Sequence, residues 1–336
     1  MTILDPPAGP LVDLPRQPAG VAWPTGTWPT GDPDPDVDTE RLGRLLDRAV
    51  GPDADPDLAV TSAVVVVHRG RLVAERYGTD REGEPVDADS RLLSWSMAKS
   101  VTHALVGVLV GEGRLDPDAP APVGEWADPG DPRHAITLDH LLRMVDGLDF
   151  CESYELATEG ADDVPFSHCI DMLFGAGADD VAGYAASRPA AHPPDTVFNY
   201  SSGTTNIVSR IVADTVGLRG EQFGAWMREV LFAPLGMGSA EPRFDAAGVF
   251  VGSSYLYATA RDFARFGLLY LRGGTWDGKQ IVPRHWVDAA RTPRARDDTD
   301  GRLYGAHWWV WGDRRGTFWA SGYEGQRIVC VPASDL

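Results

Sequence analysis

Ser96 and Lys99 form a Ser-x-x-Lys sequence, which can supply a nucleophile and a base. A spacing of three residues on a helix places both side chains on one face, within reach of a hydrogen bond. A neutral lysine amine can accept the serine proton, and the amides of the first helical turn stabilise developing negative charge. The alternative is structural: a capping serine beside a lysine whose stem packs along the protein surface. The pair alone leaves both interpretations open.

The helix that carries this pair is predicted to be buried on all sides. Apolar residues recur at helical spacing, and further valines occupy the opposite face. They are Val101, Ala104, Leu105, Val106, Val108, Leu109 and Val110. Gly111 and Gly113 mark the helix end. We therefore expect the pair at the N-terminus of a core helix.

Tyr200 is a candidate third catalytic group, because it precedes a helix predicted to begin near Thr204. Its phenol can relay a proton to a leaving group. Alternatively, it is a loop aromatic that packs on the helix. The residue type alone does not separate these roles.

A late strand is followed by a stretch from Ser321 to Gln326 that contains two glycines, Gly322 and Gly325. Glycines allow a substrate to approach the backbone closely. An exposed strand edge can also donate an amide to an oxyanion. The alternative is an ordinary glycine turn.

The remaining pattern predicts a mixture of helices and strands around these candidates. A valine run from Ser62 to His68, a turn at Arg69-Gly70 and a second strand to Tyr77 predict a central hairpin. Helices are predicted at 169–174, 179–187, 204–216, 222–232 and 257–272, and another begins after the capping residue Thr137. Strands predicted at 307–311, 317–320 and 327–331 form an antiparallel meander.

These elements predict three parts of the chain. Residues 1–36 are a proline-rich extended leader held to the body by Trp23 and Trp28. Residues 37–115 and 241–336 form an α/β domain with an antiparallel sheet flanked by helices, and residues 116–240 form a mainly helical region. The site is expected in the cleft between them.

Composition excludes several classes of partner and site. The 336 residues carry a net charge of −19, which disfavours nucleic acid or an anionic membrane surface as partner. The three cysteines predict neither a disulfide framework nor a zinc site, and the histidines show no ligand spacing. The sequence begins without a signal-peptide pattern and has no run of 18 apolar residues, which predicts a cytoplasmic protein. No cofactor is indicated, and a homodimer is compatible with the sequence.

Three motifs taken together resemble those of class C β-lactamases and the penicillin-recognising serine hydrolase superfamily. They are Ser96-x-x-Lys99, Tyr200-Ser201-Ser202 and Ser321-Gly322, in this order. The sequence around these motifs is most similar to that of the branch of 6-aminohexanoate-dimer hydrolase and related carboxylesterases. The resemblance implies an α+β (α/β sandwich) fold of the β-lactamase/transpeptidase type with an inserted helical region.

The resemblance also implies roles for individual residues. Ser96 attacks an ester or amide carbonyl, Lys99 accepts its proton and Tyr200 passes a proton to the leaving group. The amides of Ser96 and Tyr323 form the oxyanion site. In this branch a second tyrosine contacts the nitrogen of an amide substrate, and Tyr154 matches its place; Ser202, Ser321 and Gly322 are expected to line the substrate site.

Two departures from the β-lactamase pattern argue against antibiotic hydrolysis. Tyr-x-Asn is replaced by Tyr200-Ser201-Ser202, and Lys-Thr-Gly by Ala320-Ser321-Gly322. A β-lactamase or D-amino-acid peptidase and a catalytically silent binding module remain the alternatives. The chain also stops soon after a predicted strand where the resembled fold continues, so we expect a truncated product with an exposed apolar sheet edge.

Overall fold

The computed structural model describes residues 2–5, 9–51, 54–55, 60–154 and 166–336. The helices are α1 Thr39–Ala49, α2 Ala98–Gly111, α3 Leu138–Leu142, α4 His168–Phe174, α5 Val181–Ala186, α6 Ser202–Val216, α7 Gly220–Met227, α8 Ala233–Leu235, α9 Ala260–Leu271 and α10 Arg284–Ala290. The strands are β1 Thr2–Ile3, β2 Ala63–His68, β3 Arg71–Tyr77, β4 Leu92–Leu93, β5 Glu241–Pro242, β6 Leu256–Ala258, β7 Thr275–Trp276, β8 Lys279–Gln280, β9 Ala295–Arg296, β10 Leu303–Tyr304, β11 Trp309–Val310, β12 Phe318–Ser321 and β13 Arg327–Cys330. This mixture of helices and antiparallel sheets confirms the predicted α+β class.

Helix α2 is the centre of the core. Every residue from Ala98 to Leu109 is buried, as its all-round apolar pattern predicts. A Cβ added at Gly107 would lie 2.4 Å from the Trp286 ring, so α10 packs directly on the glycine of α2. The position of α2 against α10 is fixed by this contact.

The antiparallel meander is confirmed, but the predicted central hairpin is not central. Strands β10 to β13 pair in sequence within a six-stranded sheet that also includes β9 and β1. Strands β2 and β3 form a separate two-stranded sheet. The local turn at Arg69-Gly70 is correct, whereas the placement of the hairpin depends on packing that the local pattern does not encode.

A second correction concerns the helix predicted from Tyr257. Residues Leu256–Ala258 form strand β6, which pairs with β4 and β5, and helix α9 begins only at Ala260. The Thr259 hydroxyl accepts a hydrogen bond from the Asp262 amide at 3.2 Å. This N-cap fixes the start of α9 after the strand.

Within the described part of residues 116–240, every named element is helical, from α3 to α8. Thr137 and His140 form the expected cap of α3 with reciprocal hydrogen bonds of 3.1 Å. The Thr137 cap is therefore confirmed. The division into domains stays a prediction.

The leader packs across the body through its aromatics. The Trp23 ring contacts the Trp276 ring at 4.9 Å, and the Arg265 guanidinium lies 5.3 Å from the Trp28 ring. Arg265 also donates a hydrogen bond to the Pro24 carbonyl oxygen at 2.7 Å. Both tryptophans are therefore packed as the sequence predicts.

An apolar groove of about 450 Å³ separates β2 from β13. Its lining combines the two strands with residues of α9, including Phe263 and Leu268. Each strand is paired along one edge, β2 with β3 and β13 with β12, and the valines of β2 are only partly buried. One edge of each strand is therefore left without a strand partner among the described residues, and the truncation expected from the sequence stays a prediction.

Candidate functional site

Ser96 lies in a tight turn at the start of helix α2. Residues Trp95–Met97 form a single 3₁₀ turn, and the Trp95 backbone has a φ of 44°. A bulky residue in this left-handed region is strained and is found mostly where function requires a particular geometry. Ser96 stays partly exposed while Met97 and Ala98 are buried, so the hydroxyl is accessible at the edge of the core.

Lys99 is buried, with a relative exposure of 2%, and its amine reaches three oxygen atoms. The distances from Nζ are 2.8 Å to Ser96 Oγ, 3.0 Å to Ser202 Oγ and 3.2 Å to the Ser253 carbonyl oxygen. A lysine snorkelling to the surface is excluded by this burial. The structure brings the sequence-predicted pair into direct hydrogen-bond contact.

Tyr200 lies beside this amine at the entrance of helix α6. The Lys99 Nζ is 4.8 Å from the centroid of the Tyr200 ring, which stacks on Trp309 at 5.4 Å. The next residue, Ser201, caps α6 by accepting a hydrogen bond from the Thr204 amide at 3.0 Å. The structure therefore brings Tyr200 to the pair, and its ring also packs as an aromatic of the core.

The segment after β12 approaches the turn that carries Ser96. A Cβ added at Gly322 would lie 2.4 Å from the Ser94 carbonyl oxygen, so a residue with a side chain does not fit there. The Tyr323 ring makes an edge-to-face contact with Trp95 at 5.7 Å. These contacts bring Gly322 and Tyr323 to the turn that carries Ser96, and the oxyanion site formed by the Ser96 and Tyr323 amides stays a prediction.

The residues expected to bind substrate lie around this opening. Ser321 ends β12 and is opposite Arg327 in β13. The Tyr154 ring is 46% exposed and contacts the Tyr323 ring at 5.3 Å. Desolvation of the phenol, followed by the charge of Glu152, raises the pKa of Tyr154. Tyr154 and Tyr323 thus form an aromatic wall beside Ser96.

Glu152 belongs to this site and was missed by the sequence reasoning. Its Oε1 accepts hydrogen bonds from the Ser202 hydroxyl at 2.5 Å and the Tyr154 hydroxyl at 2.9 Å. Its Oε2 accepts one from the Ser202 amide at 2.7 Å. The one signal in the sequence is the position of Glu152 two residues before Tyr154. This signal is too weak to predict a contact with Ser202, which lies 50 positions away.

Asp146 anchors the first turn of helix α6. Its Oδ2 accepts a hydrogen bond from Thr204 Oγ1 at 2.8 Å, and its Oδ1 accepts one from the Leu148 amide at 2.9 Å. Burial raises the pKa of Asp146 from 3.8 to about 6 in spite of these two bonds. The carboxylate that holds α6 in place is therefore costly to ionise.

We expect Asp146→Asn to change how stability depends on pH. The folded state binds the extra proton between pH values near 4 and 6, so the free energy of unfolding of the native protein falls as pH rises through this range. Two pKa units correspond to about 3 kcal/mol, so the stability of the variant relative to the native protein should rise by up to that amount between pH 4 and pH 7. Urea unfolding at several pH values measures this.

Asp131→Asn is the matched control. Hydrogen bonds from Arg133 lower the pKa of Asp131 to about 2. Protonation of Asp131 therefore changes the stability only below about pH 4. The slope between pH 4 and 6 should stay unchanged in this variant. A parallel pH profile for Asp146→Asn and the native protein would contradict the assignment.

The described residues give no sign of a metal centre or of a membrane span. No group of three or more His, Cys, Asp or Glu among them is placed to hold a metal ion. None of the described helices combines the length and apolarity needed to cross a bilayer. Cys151, Cys169 and Cys330 are free thiols.

Comparison with known proteins identifies the family. A 6-aminohexanoate-dimer hydrolase from Paenarthrobacter ureafaciens is 28% identical over 323 residues, covering 88% of this chain and 76% of its own. A Bacillus anthracis protein provisionally assigned as a 6-aminohexanoate-dimer hydrolase superposes with a TM-score of 0.70 at 24% identity, covering 97% of this chain and 83% of its own. A penicillin-binding protein homologue from Caulobacter crescentus has a TM-score of 0.68 at 20% identity, with 91% of both chains covered.

The two structural similarities show a shared β-lactamase/transpeptidase-like fold. The Beta-lactamase family model matches residues 47–336, which contain every residue of the site described above. Together with the relative from Paenarthrobacter ureafaciens, this match supports a hydrolase. The chain belongs to the Beta-lactamase family.

Proposed function

We propose that this protein is a serine hydrolase that cleaves esters or linear amides of small molecules through an acyl-enzyme on Ser96. The observation that carries the proposal is the 2.8 Å contact between the buried Lys99 amine and the Ser96 hydroxyl. A nucleophile paired with a base at this distance is the arrangement that activates a serine. The partly exposed Ser96 gives a substrate access to it.

The proposed reaction has two steps. Ser96 Oγ forms a bond to the carbonyl carbon while its proton passes to the neutral Lys99 amine, and the amides of Ser96 and Tyr323 stabilise the oxyanion. A proton relayed through Tyr200 reaches the leaving group as its bond to the carbonyl carbon breaks. Water then attacks the acyl-enzyme, releases the acid and returns the proton to Ser96.

The substrate class is proposed from the site and the relative together. The relative from Paenarthrobacter ureafaciens is named as a hydrolase of the 6-aminohexanoate dimer, and its similarity extends over most of this chain. Ser202 and Ala320 occupy the positions where the β-lactamase motifs carry an asparagine and a lysine. This replacement favours esters and linear amides over β-lactams, with Ser321 and Gly322 lining the substrate site.

Labelling with a fluorophosphonate, followed by peptide mapping, tests the nucleophile. A panel of short-chain nitrophenyl esters, linear amides and a chromogenic cephalosporin then tests the substrate class. We expect an adduct on Ser96 and turnover of esters or linear amides. Turnover of the cephalosporin alone would favour a β-lactamase, and a chain that is neither labelled nor active would favour a binding module.

The proposal extends to partners and compartment. A charge of −19 supports a small-molecule substrate rather than nucleic acid or an anionic membrane surface. The cytoplasmic location expected from the sequence stays part of the proposal. A homodimer is compatible with the proposal, and no cofactor is required by it.

Tyr154→Phe should reduce turnover of amides more than turnover of esters. An amine leaving group must be held and protonated, whereas an alkoxide departs more readily. The Tyr154 hydroxyl, placed by its 2.9 Å bond to Glu152, is the proposed contact to the amide nitrogen. Paired ester and amide substrates with the same acyl group measure the difference.

The control is the native protein assayed with the same pair. A loss that is equal for ester and amide would assign Tyr154 to the hydrogen-bond network of Glu152 instead. No loss with either substrate would remove the residue from the site.

A further inference from the structure

The three oxygen partners of Lys99 differ in what they can donate. The Ser253 carbonyl oxygen, 3.2 Å from Nζ, accepts hydrogen bonds and cannot donate them. It is held in place because the Ser253 amide donates to Asn206 Oδ1 at 3.1 Å. Ser96 and Ser202 carry hydroxyl groups that can do either. The direction of the Ser202 hydroxyl therefore decides how the lysine amine is oriented.

Glu152 fixes that direction. Its Oε1 lies 2.5 Å from Ser202 Oγ and accepts a hydrogen bond from that hydroxyl, so the single hydroxyl hydrogen of Ser202 points to Glu152. The Ser202 amide donates to the other carboxylate oxygen at 2.7 Å, and Tyr154 donates to Oε1. Two bonds to one residue prevent the carboxylate from turning away. Ser202 Oγ thus presents a lone pair to Lys99.

We infer that Glu152 is a positioning residue that directs the lone pair of the neutral Lys99 amine at the Ser96 hydroxyl. A neutral amine has two hydrogens and one lone pair. With Ser202 Oγ and the Ser253 carbonyl oxygen both acting as acceptors, they take the two hydrogens. The lone pair is left for the Ser96 hydrogen, which is the proton that a general base must remove.

The role requires no transfer of a proton to Glu152. When Ser96 Oγ bonds to the carbonyl carbon, its proton moves to the Lys99 nitrogen, which becomes an ammonium with three hydrogens. Glu152 and Ser202 keep their protonation and hold the same bonds. The inference rests on the proposed function, and it explains why a half-buried carboxylate lies next to a serine that does not itself react.

Glu152→Gln tests the inference because glutamine reverses the bond. Its oxygen can still accept from the Ser202 amide, which leaves its NH₂ group facing Ser202 Oγ. The hydroxyl must then donate toward Lys99 and compete with Ser96 for the lone pair. We expect kcat for a short-chain nitrophenyl ester to fall by about 10- to 100-fold with little change in KM, as for other groups that orient a reacting residue.

Glu152→Ala distinguishes orientation from simple packing. Alanine frees the Ser202 hydroxyl to rotate without forcing it toward Lys99. The loss in kcat of Glu152→Ala should therefore be smaller than that of Glu152→Gln. The rate of labelling by a fluorophosphonate should follow the same order. Equal losses in both variants, or an effect confined to KM, would overturn the inference.

A double-mutant cycle tests whether Glu152 acts through Ser202. In a Ser202→Ala background no hydroxyl remains to be directed, so adding Glu152→Gln should change kcat less than threefold. If the losses in kcat of Glu152→Gln and Ser202→Ala multiply in the double variant, the inference is overturned. Glu125→Gln, which alters a carboxylate bonded to Arg210 away from the site, is the matched control and should keep native kcat.

Failure of the proposed function and failure of this inference give different results. A native protein that is not labelled at Ser96 contradicts the proposed function, whereas a labelled native protein with active Glu152 variants contradicts this inference alone. If Glu152→Gln does not fold, Ser202→Ala carries the test, because the amine then loses one of its two acceptors. A Ser202→Ala variant labelled at the native rate would overturn the inference.

Discussion

Ser96→Ala is expected to abolish labelling by a fluorophosphonate and to lower ester turnover by at least about a thousandfold, as removal of a serine nucleophile does elsewhere. The hydroxyl is the one group at the site that is both partly exposed and 2.8 Å from a buried amine. Without it no acyl-enzyme can form. Mass spectrometry of the labelled protein and a nitrophenyl ester assay measure the two effects.

The fold should survive this substitution, which makes the result interpretable. Ser96 lies at the edge of the core, and the residues that build the turn are Trp95 and Met97. Ser187→Ala, at an exposed serine whose hydroxyl donates to the Tyr184 carbonyl oxygen, is the matched control and should keep full labelling. A phosphonate adduct on a serine other than Ser96 would contradict the assignment of the nucleophile.

The contact between Ser96 and Lys99, the proposed nucleophile and base, was predictable because their relationship is local. Two residues three positions apart on a helical turn meet whatever the rest of the chain does. The same holds for the turn at Arg69-Gly70 and for the cap at Thr137, where the sequence and the structure agree. Contacts between residues that are close in the sequence can be predicted without knowledge of the fold.

The rest of the site depends on contacts between distant segments. Ser253 reaches Lys99 across 154 positions, and Glu152 reaches Ser202 across 50. Ser253 contributes a backbone carbonyl, which leaves no trace in residue type. The hairpin of β2 and β3 shows the same limit, since its strands were predictable and its separation from the larger sheet was not.

Tyr200 falls between these two cases. Its position before α6 suggested either a proton relay or a packed aromatic. In the structure the ring stacks on Trp309 at 5.4 Å and its face lies 4.8 Å from the Lys99 amine. Packing and proximity to the base therefore coexist, and Tyr200→Phe separates them because it keeps the ring and removes the hydroxyl.

Lys99→Ala is expected to lower ester turnover by roughly 10² to 10⁴, the usual contribution of a general base. Lys99→Arg should not restore activity, because a guanidinium stays protonated and cannot accept the Ser96 proton. Lys99→Met is the control for packing, since it fills much of the same buried space without a base. All three variants should show comparable losses in the ester assay and in the rate of phosphonate labelling.

The loss should not multiply when a second member of the site is changed. In the proposed reaction Lys99 and Tyr200 move one proton between Ser96 and the leaving group, so a relay broken at either point fails as a whole. The Lys99→Met, Tyr200→Phe double variant should therefore be little worse than Lys99→Met alone. A folded Lys99→Met protein with ordinary turnover would refute the assignment of the base, and fully multiplicative losses would show that Tyr200 acts separately from Lys99.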